Sequence, residues 1–317
     1  MSYVNSILDR IGNTPLVKLG KVVKPSSGNV YAKAEYLNPS GSLKDRIAVE
    51  MIRDAEERGL LKPGYTIIEA STGNTGTALS FVGTQLGYKV EIYMPEGMTP
   101  ERIKIMENYG AKVHELKLEG GSEGSIAGAE VEIDTRIKCL EVESKNPKVW
   151  WARQFSNPAN TRAHVKTGRE IVQQLGEPVD AFVASIGVGG TLYGVAKALR
   201  EAYPDVLIVG LEPGSARYPI SGGYTRVPGT GDEVCGGIIE EMMNSGIVDR
   251  VVKVSNSDAI AMSDRLVREE GLFCGISSGA NAFMACKLAE ELGPGKNVAT
   301  VLPDNRDRYL SEKKYTT

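Results

Sequence analysis

The feature that most narrows the fold of this 317-residue chain is an alternation of Val- and Ile-rich apolar runs with amphipathic stretches. Tyr65 to Ala70, Val90 to Met94, Ala181 to Ile186, Val206 to Leu211 and Val298 to Leu302 read as buried strands. Between them, Asp45 to Arg58, Thr75 to Leu86, Pro100 to Tyr109, Arg162 to Leu175, Thr191 to Ala202, Ser257 to Glu270 and Gly279 to Leu292 carry the apolar spacing of helices. Strands and helices in this order predict an α/β protein with parallel sheets covered by helices, and the length suits one or two domains. In such sheets ligands gather where loops leave the carboxyl ends of strands. Those loops are therefore where chemistry is expected.

Charge and cysteine content remove several classes of function. The formal net charge is -3 and no run of five or six like charges marks a basic arm or an acidic tail, so nucleic acid is not an expected partner. Met1 to Arg10 lack the basic start and apolar core of a signal peptide, and no stretch approaches the ~18 to 20 apolar residues of a membrane span. A cytoplasmic protein is expected. Cys139, Cys235, Cys274 and Cys286 show no CxxC spacing, and His114 and His164 are the two histidines available to a metal. No metal is expected, and the thiols are expected to be free and buried or half-buried in a reducing compartment. Gly120 to Ser125 reads as a glycine-rich loop, and Pro213 to Gly237 as a long irregular connection of the kind that covers a site.

Four segments carry polar groups suited to chemistry. In Asn38-Pro39-Ser40-Gly41-Ser42-Leu43-Lys44-Asp45-Arg46 a turn leads into a helix, with Lys44 near the helix start. The positive helix end and partial burial disfavour an ammonium, which would free a neutral amine to attack an aldehyde. Gly187-Val188-Gly189-Gly190-Thr191 follows a strand and opens a helix, so bare N–H groups and the helix dipole form a phosphate cradle, with Thr191 adding a hydroxyl. Ser71-Thr72-Gly73-Asn74-Thr75 sets polar side chains at a second strand-to-helix turn, a receptor for a carboxylate. Gly275-Ile276-Ser277-Ser278-Gly279-Ala280 is the fourth. Each also has an ordinary reading by itself: a solvated lysine, a packing turn, an N-cap cluster, a capped turn.

It is the set, in this order, that narrows the reading. From Ile11-Gly12-Asn13-Thr14-Pro15-Leu16-Val17 to Tyr309-Leu310-Ser311 the chain resembles the cysteine synthase (O-acetylserine sulfhydrylase) and cystathionine β-synthase family, which has the tryptophan-synthase-β-like fold. The resemblance implies a fold type II enzyme of two interleaved lobes, each a mostly parallel twisted sheet covered by helices, with pyridoxal 5'-phosphate as cofactor. It implies residues 1–40 and 155–317 as a larger, phosphate-binding domain and 41–154 as a smaller, mobile substrate domain. Lys44 becomes the Schiff-base lysine and the proton carrier at the substrate's α-carbon. Asn74 would bond the cofactor's ring oxygen, and Gly187, Val188, Gly189, Gly190 and Thr191 its phosphate. Ser277 would face the pyridine nitrogen. Ser71, Thr72 and Thr75, with Gln154 from Gln154-Phe155-Ser156-Asn157-Pro158, would hold the substrate carboxylate.

A neutral hydroxyl at the ring nitrogen makes the ring a weaker electron sink than a carboxylate would. That favours loss of a β-substituent over racemisation or transamination. The implied reaction is β-replacement on an activated L-serine, O-acetyl-L-serine first among donors, with sulfide adding to a bound aminoacrylate to give L-cysteine. O-phosphoserine sulfhydrylase and stand-alone cystathionine β-synthase are the alternatives, and a non-catalytic relative that binds a partner or metabolite is a remote one. A homodimer is implied.

The sequence departs from the family's pattern at several points. Val188 stands where a threonine is usual in the phosphate loop, and Ser71-Thr72 inverts the usual order. Gly229-Thr230-Gly231-Asp232-Glu233-Val234-Cys235-Gly236-Gly237 replaces the glycine-rich loop and aromatic that usually border the substrate entrance. Arg217 and Arg226 nearby offer charge to an anionic donor or are simply solvated. After Pro303-Asp304, Asn305-Arg306-Asp307-Arg308 replaces small residues, and a C-terminal regulatory module is not expected.

Overall fold

The structure, a computed structural model, describes residues 3–117, 129–213 and 237–310. In chain order the elements are β1 (Leu16–Leu19), β2 (Asn29–Lys33), α1 (Lys44–Glu57), β3 (Thr66–Ala70), α2 (Asn74–Gln85), β4 (Lys89–Pro95), α3 (Pro100–Asn108), β5 (Lys112–Leu116), α4 (Ala129–Lys145) and β6 (Val149–Trp151). There follow α5 (Pro158–Leu175), β7 (Ala181–Ser185), α6 (Gly190–Ala202), β8 (Leu207–Pro213), α7 (Gly237–Asn244), β9 (Arg250–Val254), α8 (Asn256–Glu270), α9 (Ile276–Leu292) and β10 (Asn297–Val301). The fold is α/β, as the alternation predicts.

Two compact units share the chain. One includes Met1–Leu43, Thr161–Ala216 and Ile238–Thr317, and the other is built on Lys44–Asn160. The first unit holds a six-stranded sheet in the order β1-β2-β10-β7-β8-β9, parallel except for the antiparallel pair of β1 with β2. All five residues of β10 are buried, as expected of a strand inside a sheet covered on both faces. Against it packs α9, which buries Ala282, Ala285, Leu288 and Ala289, three or four residues apart on one face.

The second unit holds a parallel four-stranded sheet in the order β5-β4-β3-β6. Ile47, Ala48, Met51, Ile52 and Ala55 form the buried stripe of α1, which packs on α2. Ile68, Ala70, Tyr93, Cys139 and Trp151 make a small core on β3, β4, β6 and α4.

Two features lie beyond what the sequence reading contained. The chain carries an antiparallel edge pair that the sequence reading did not contain, and its second strand ends in a fully buried lysine. Lys33 is tolerable there because Nζ lies 2.7 Å from Glu170 Oε2 and donates to Thr14 O and to Gln174 Oε1. Arg217, Arg226, Cys235 and the loop Gly120 to Ser125 lie outside the described residues. Among the described residues Cys139, Cys274 and Cys286 are free and buried, and no helix is long and apolar enough to cross a membrane.

Candidate active site

In the unit built on Lys44–Asn160, Lys44 is the first residue of α1 and is half-buried. The turn before it belongs to the other unit, where two main-chain bonds and one side-chain bond pin it. Leu43 N donates to Pro303 O, Asn305 N donates to Gly41 O, and Arg308 donates to Ser40 O. Arg308 is itself buried, so the Asn305-Arg306-Asp307-Arg308 departure from the family pattern serves to fix the lysine-bearing turn.

At the end of β3, Ser71 Oγ accepts N–H bonds from Gly76 (2.9 Å) and Gly73 (3.3 Å). Its oxygen is thereby occupied by the first turn of α2, and its proton is left for an acceptor. Thr75 Oγ1 donates to Gln154 Oε1 at 2.5 Å, and Gln154 Nε2 lies 3.4 Å from Ala70 O. Ser71, Thr75 and Gln154 are buried and gather around one peptide. Thr72 and Asn74 are half-buried, and the carbonyl of Thr72 accepts from Arg102.

Gln154 is held by an unusual corner. Arg153 takes φ +53, a left-handed conformation costly for a residue with a Cβ. It is held there by two bonds to Glu143 and by stacking over Trp151, 4.6 Å from the ring centroid. The backbone of Gln154 donates to Glu69 Oε2 and accepts from Asn160 Nδ2.

In the other unit the glycine turn links β7 to α6. The N-cap of α6 is Gly189 at φ +89, a conformation glycine alone takes without strain, and among the described residues no side-chain bond caps the helix there. The first N–H groups of a helix have no partner within it, so an uncapped glycine turn offers several to an anion. A Cβ on Gly187 would meet nothing within 4 Å. An open, donor-rich turn of this kind fits the phosphate of pyridoxal 5'-phosphate.

His164 on α5 stands behind this turn, which the sequence reading missed. Its Nε2 lies 3.2 Å from Thr191 Oγ1 and its Nδ1 3.2 Å from Thr167 Oγ1. Gly194 allows the approach, since a Cβ there would sit 2.3 Å from Thr161 O and 2.7 Å from His164 Cβ. The pairing was hidden in sequence because 27 residues separate His164 from Thr191.

Ser277 is half-buried in the first turn of α9. One turn later, Asn281 Oδ1 accepts from Ser185 N and Nδ2 donates to Val301 O, at 2.8 and 2.9 Å. Asn281 thus ties the helix bearing Ser277 to the strand that leads into the glycine turn, and it too was missed. Among the described residues no cluster of three or more His, Cys, Asp or Glu suited to a metal is present.

Residues 7–304 match the family described as pyridoxal-phosphate dependent enzymes. A cysteine synthase from Staphylococcus aureus is 44% identical over 315 residues, covering 99% of this chain and 97% of that protein. The crystal structure of a cysteine synthase from Entamoeba histolytica is 33% identical with a TM-score of 0.86, over 99% of this chain and 91% of that one. The structure of an O-acetylserine dependent cystathionine β-synthase from Helicobacter pylori is 32% identical with a TM-score of 0.86, over 99% and 100%.

Proposed function

This chain belongs to the pyridoxal-phosphate dependent enzyme family, and on that premise we propose that it forms L-cysteine from O-acetyl-L-serine and sulfide. Bound pyridoxal phosphate supplies an electron-withdrawing ring that acidifies the amino acid's α-proton and lets a β-substituent leave. The remaining tasks fall to side chains. Lys44 would link to the cofactor and later carry the α-proton, and Asn74 would bond the ring oxygen. Gly187 to Thr191 would hold the phosphate. Ser277 would meet the ring nitrogen with a hydroxyl, which cannot keep a proton there as a carboxylate would.

The observation that carries the reading is the wiring at the end of β3. Ser71 has its oxygen occupied and its proton available, and Thr75 orients Gln154 through the carbonyl end of its amide, so that the N–H not directed at Ala70 O can serve a carboxylate. Two donors and a helix start suit the carboxylate of an amino acid. In the same reading residues 1–40 and 155–317 act as the phosphate-binding domain, 41–154 as the mobile substrate domain, and the protein works as a cytoplasmic homodimer.

A donor and acceptor panel tests the proposal. Purified protein reconstituted with pyridoxal phosphate should show a visible absorption band that shifts with O-acetyl-L-serine. Among O-acetyl-L-serine, O-phospho-L-serine and L-serine, each with sulfide or homocysteine, the first donor with sulfide should give the highest kcat/KM. Preference for homocysteine would place the chain with the Helicobacter pylori enzyme. Lys44→Ala should abolish the band and lower turnover by about a thousandfold or more; full activity in that variant would refute the assignment.

A further inference from the structure

Glu69 has no task in the reading above, yet its carboxylate lies under both halves of the Ser71 and Gln154 arrangement. It is the fourth residue of β3 and fully buried. Oε1 accepts from Ala70 N and from Trp151 Nε1, both at 2.8 Å, and Oε2 accepts from Gln154 N at 2.9 Å. All three partners are donors, so both oxygens act as acceptors and the ionised form fits; a neutral acid would turn an O–H toward N–H groups. Burial holds the carboxyl above its ordinary value, and the bonds from Trp151, Gln154 and Ala70 with the buried guanidinium of Arg136 offset part of that push.

A buried negative charge repels a second carboxylate, so packing alone would be better served here by a neutral side chain. What the charge accomplishes is geometric. The Ala70 peptide leads directly into Ser71, and the Gln154 peptide follows the left-handed Arg153 corner. One carboxylate holds both main-chain segments in a fixed relation.

We infer that Glu69 is a positioning residue for the amino-acid donor, acting through the Ala70 and Gln154 peptides and not by touching substrate. The inference rests on Ser71, Thr75 and Gln154 being the carboxylate receptor. Its test is a split between donor and acceptor constants in reconstituted Glu69→Gln enzyme. This near-isosteric change keeps the volume and sets an NH2 against an N–H. The KM for O-acetyl-L-serine should rise about tenfold, with kcat within about threefold and the KM for sulfide unmoved. The resting absorption band should be that of the unsubstituted protein.

A second variant, Trp151→Phe, removes one donor of the three and should raise the donor KM about threefold; it decides the matter should Glu69→Gln fail to fold. An unchanged donor KM in the folded variants, or a fall in kcat and cofactor content at constant donor KM, would overturn the inference. Failure of the underlying reading looks different. The unsubstituted protein would then show no cofactor band or make no cysteine.

Discussion

In the proposed function two strand-to-helix turns, each opening a helix with a glycine N-cap, would solve the same problem of binding an anion in opposite ways. The turn after β3 is built from side chains: Ser71 bonds two amides, Thr75 orients Gln154, and Glu69 braces both segments. The turn after β7 is built from backbone, with Gly189 at φ +89, open space at Gly187, and one hydroxyl, Thr191, backed by His164. Backbone donors are fixed by the fold, whereas hydroxyls and amides can be tuned one atom at a time. The first arrangement suits a substrate that comes and goes, and the second a phosphate that stays.

The largest effect should come from the backbone turn. Gly189→Val forces a β-branched residue into left-handed space, with a Cβ 3.0 Å from Ile239 Cγ1. Retention of pyridoxal phosphate, measured by dialysis and absorbance, should weaken about a hundredfold. Equal retention in the variant would break the comparison, since the turn would then not depend on its backbone shape.

A smaller and different loss is expected from the side-chain turn. Thr75→Val removes the hydroxyl that donates to Gln154 Oε1 and leaves the amide to its longer, 3.4 Å bond with Ala70 O. The KM for the amino-acid donor should rise about tenfold while cofactor retention is unchanged. If cofactor retention fell instead, the two turns would not have separate tasks.

The same contrast explains what was legible in the sequence. The five strands read from apolar runs correspond to β3, β4, β7, β8 and β10, all of them interior to their sheets. The unread ones are the edges β1, β5, β6 and β9, together with β2. An edge strand buries one face or less, as in the alternating pattern of β9, and β6 has only three residues. β2 was hidden by Lys33, whose burial depends on Glu170, far along the chain. The glycine turn could be noticed because its shape resides in local backbone, where composition and order suffice. Glu69, Asn281 and His164 could not, because each has a partner distant in sequence: Gln154, Ser185 and Thr191. A lone buried Glu in an apolar run carries no local signal of its partners.

The thiols give the smallest effect and extend the comparison to the cores of the two units. Burial pushes Cys274 up to about 12 and Cys286 up to about 11, and drives Cys139 higher still, since an apolar surrounding disfavours the thiolate. At pH 8 the folded protein should resist iodoacetamide at these three positions by peptide mass analysis, and lose that protection on unfolding. A raised acid pKa means the unfolded chain releases its protons first. The contribution to stability is therefore complete below about pH 9 and is lost as pH rises through 11 to 12. The melting temperature should decline over that interval, and Cys286→Ala should make the decline shallower by removing one of the buried thiols. A decline of unchanged steepness would mean that alkaline unfolding is governed by other groups, such as Tyr88 and Tyr93, whose phenols are also pushed up to about 12.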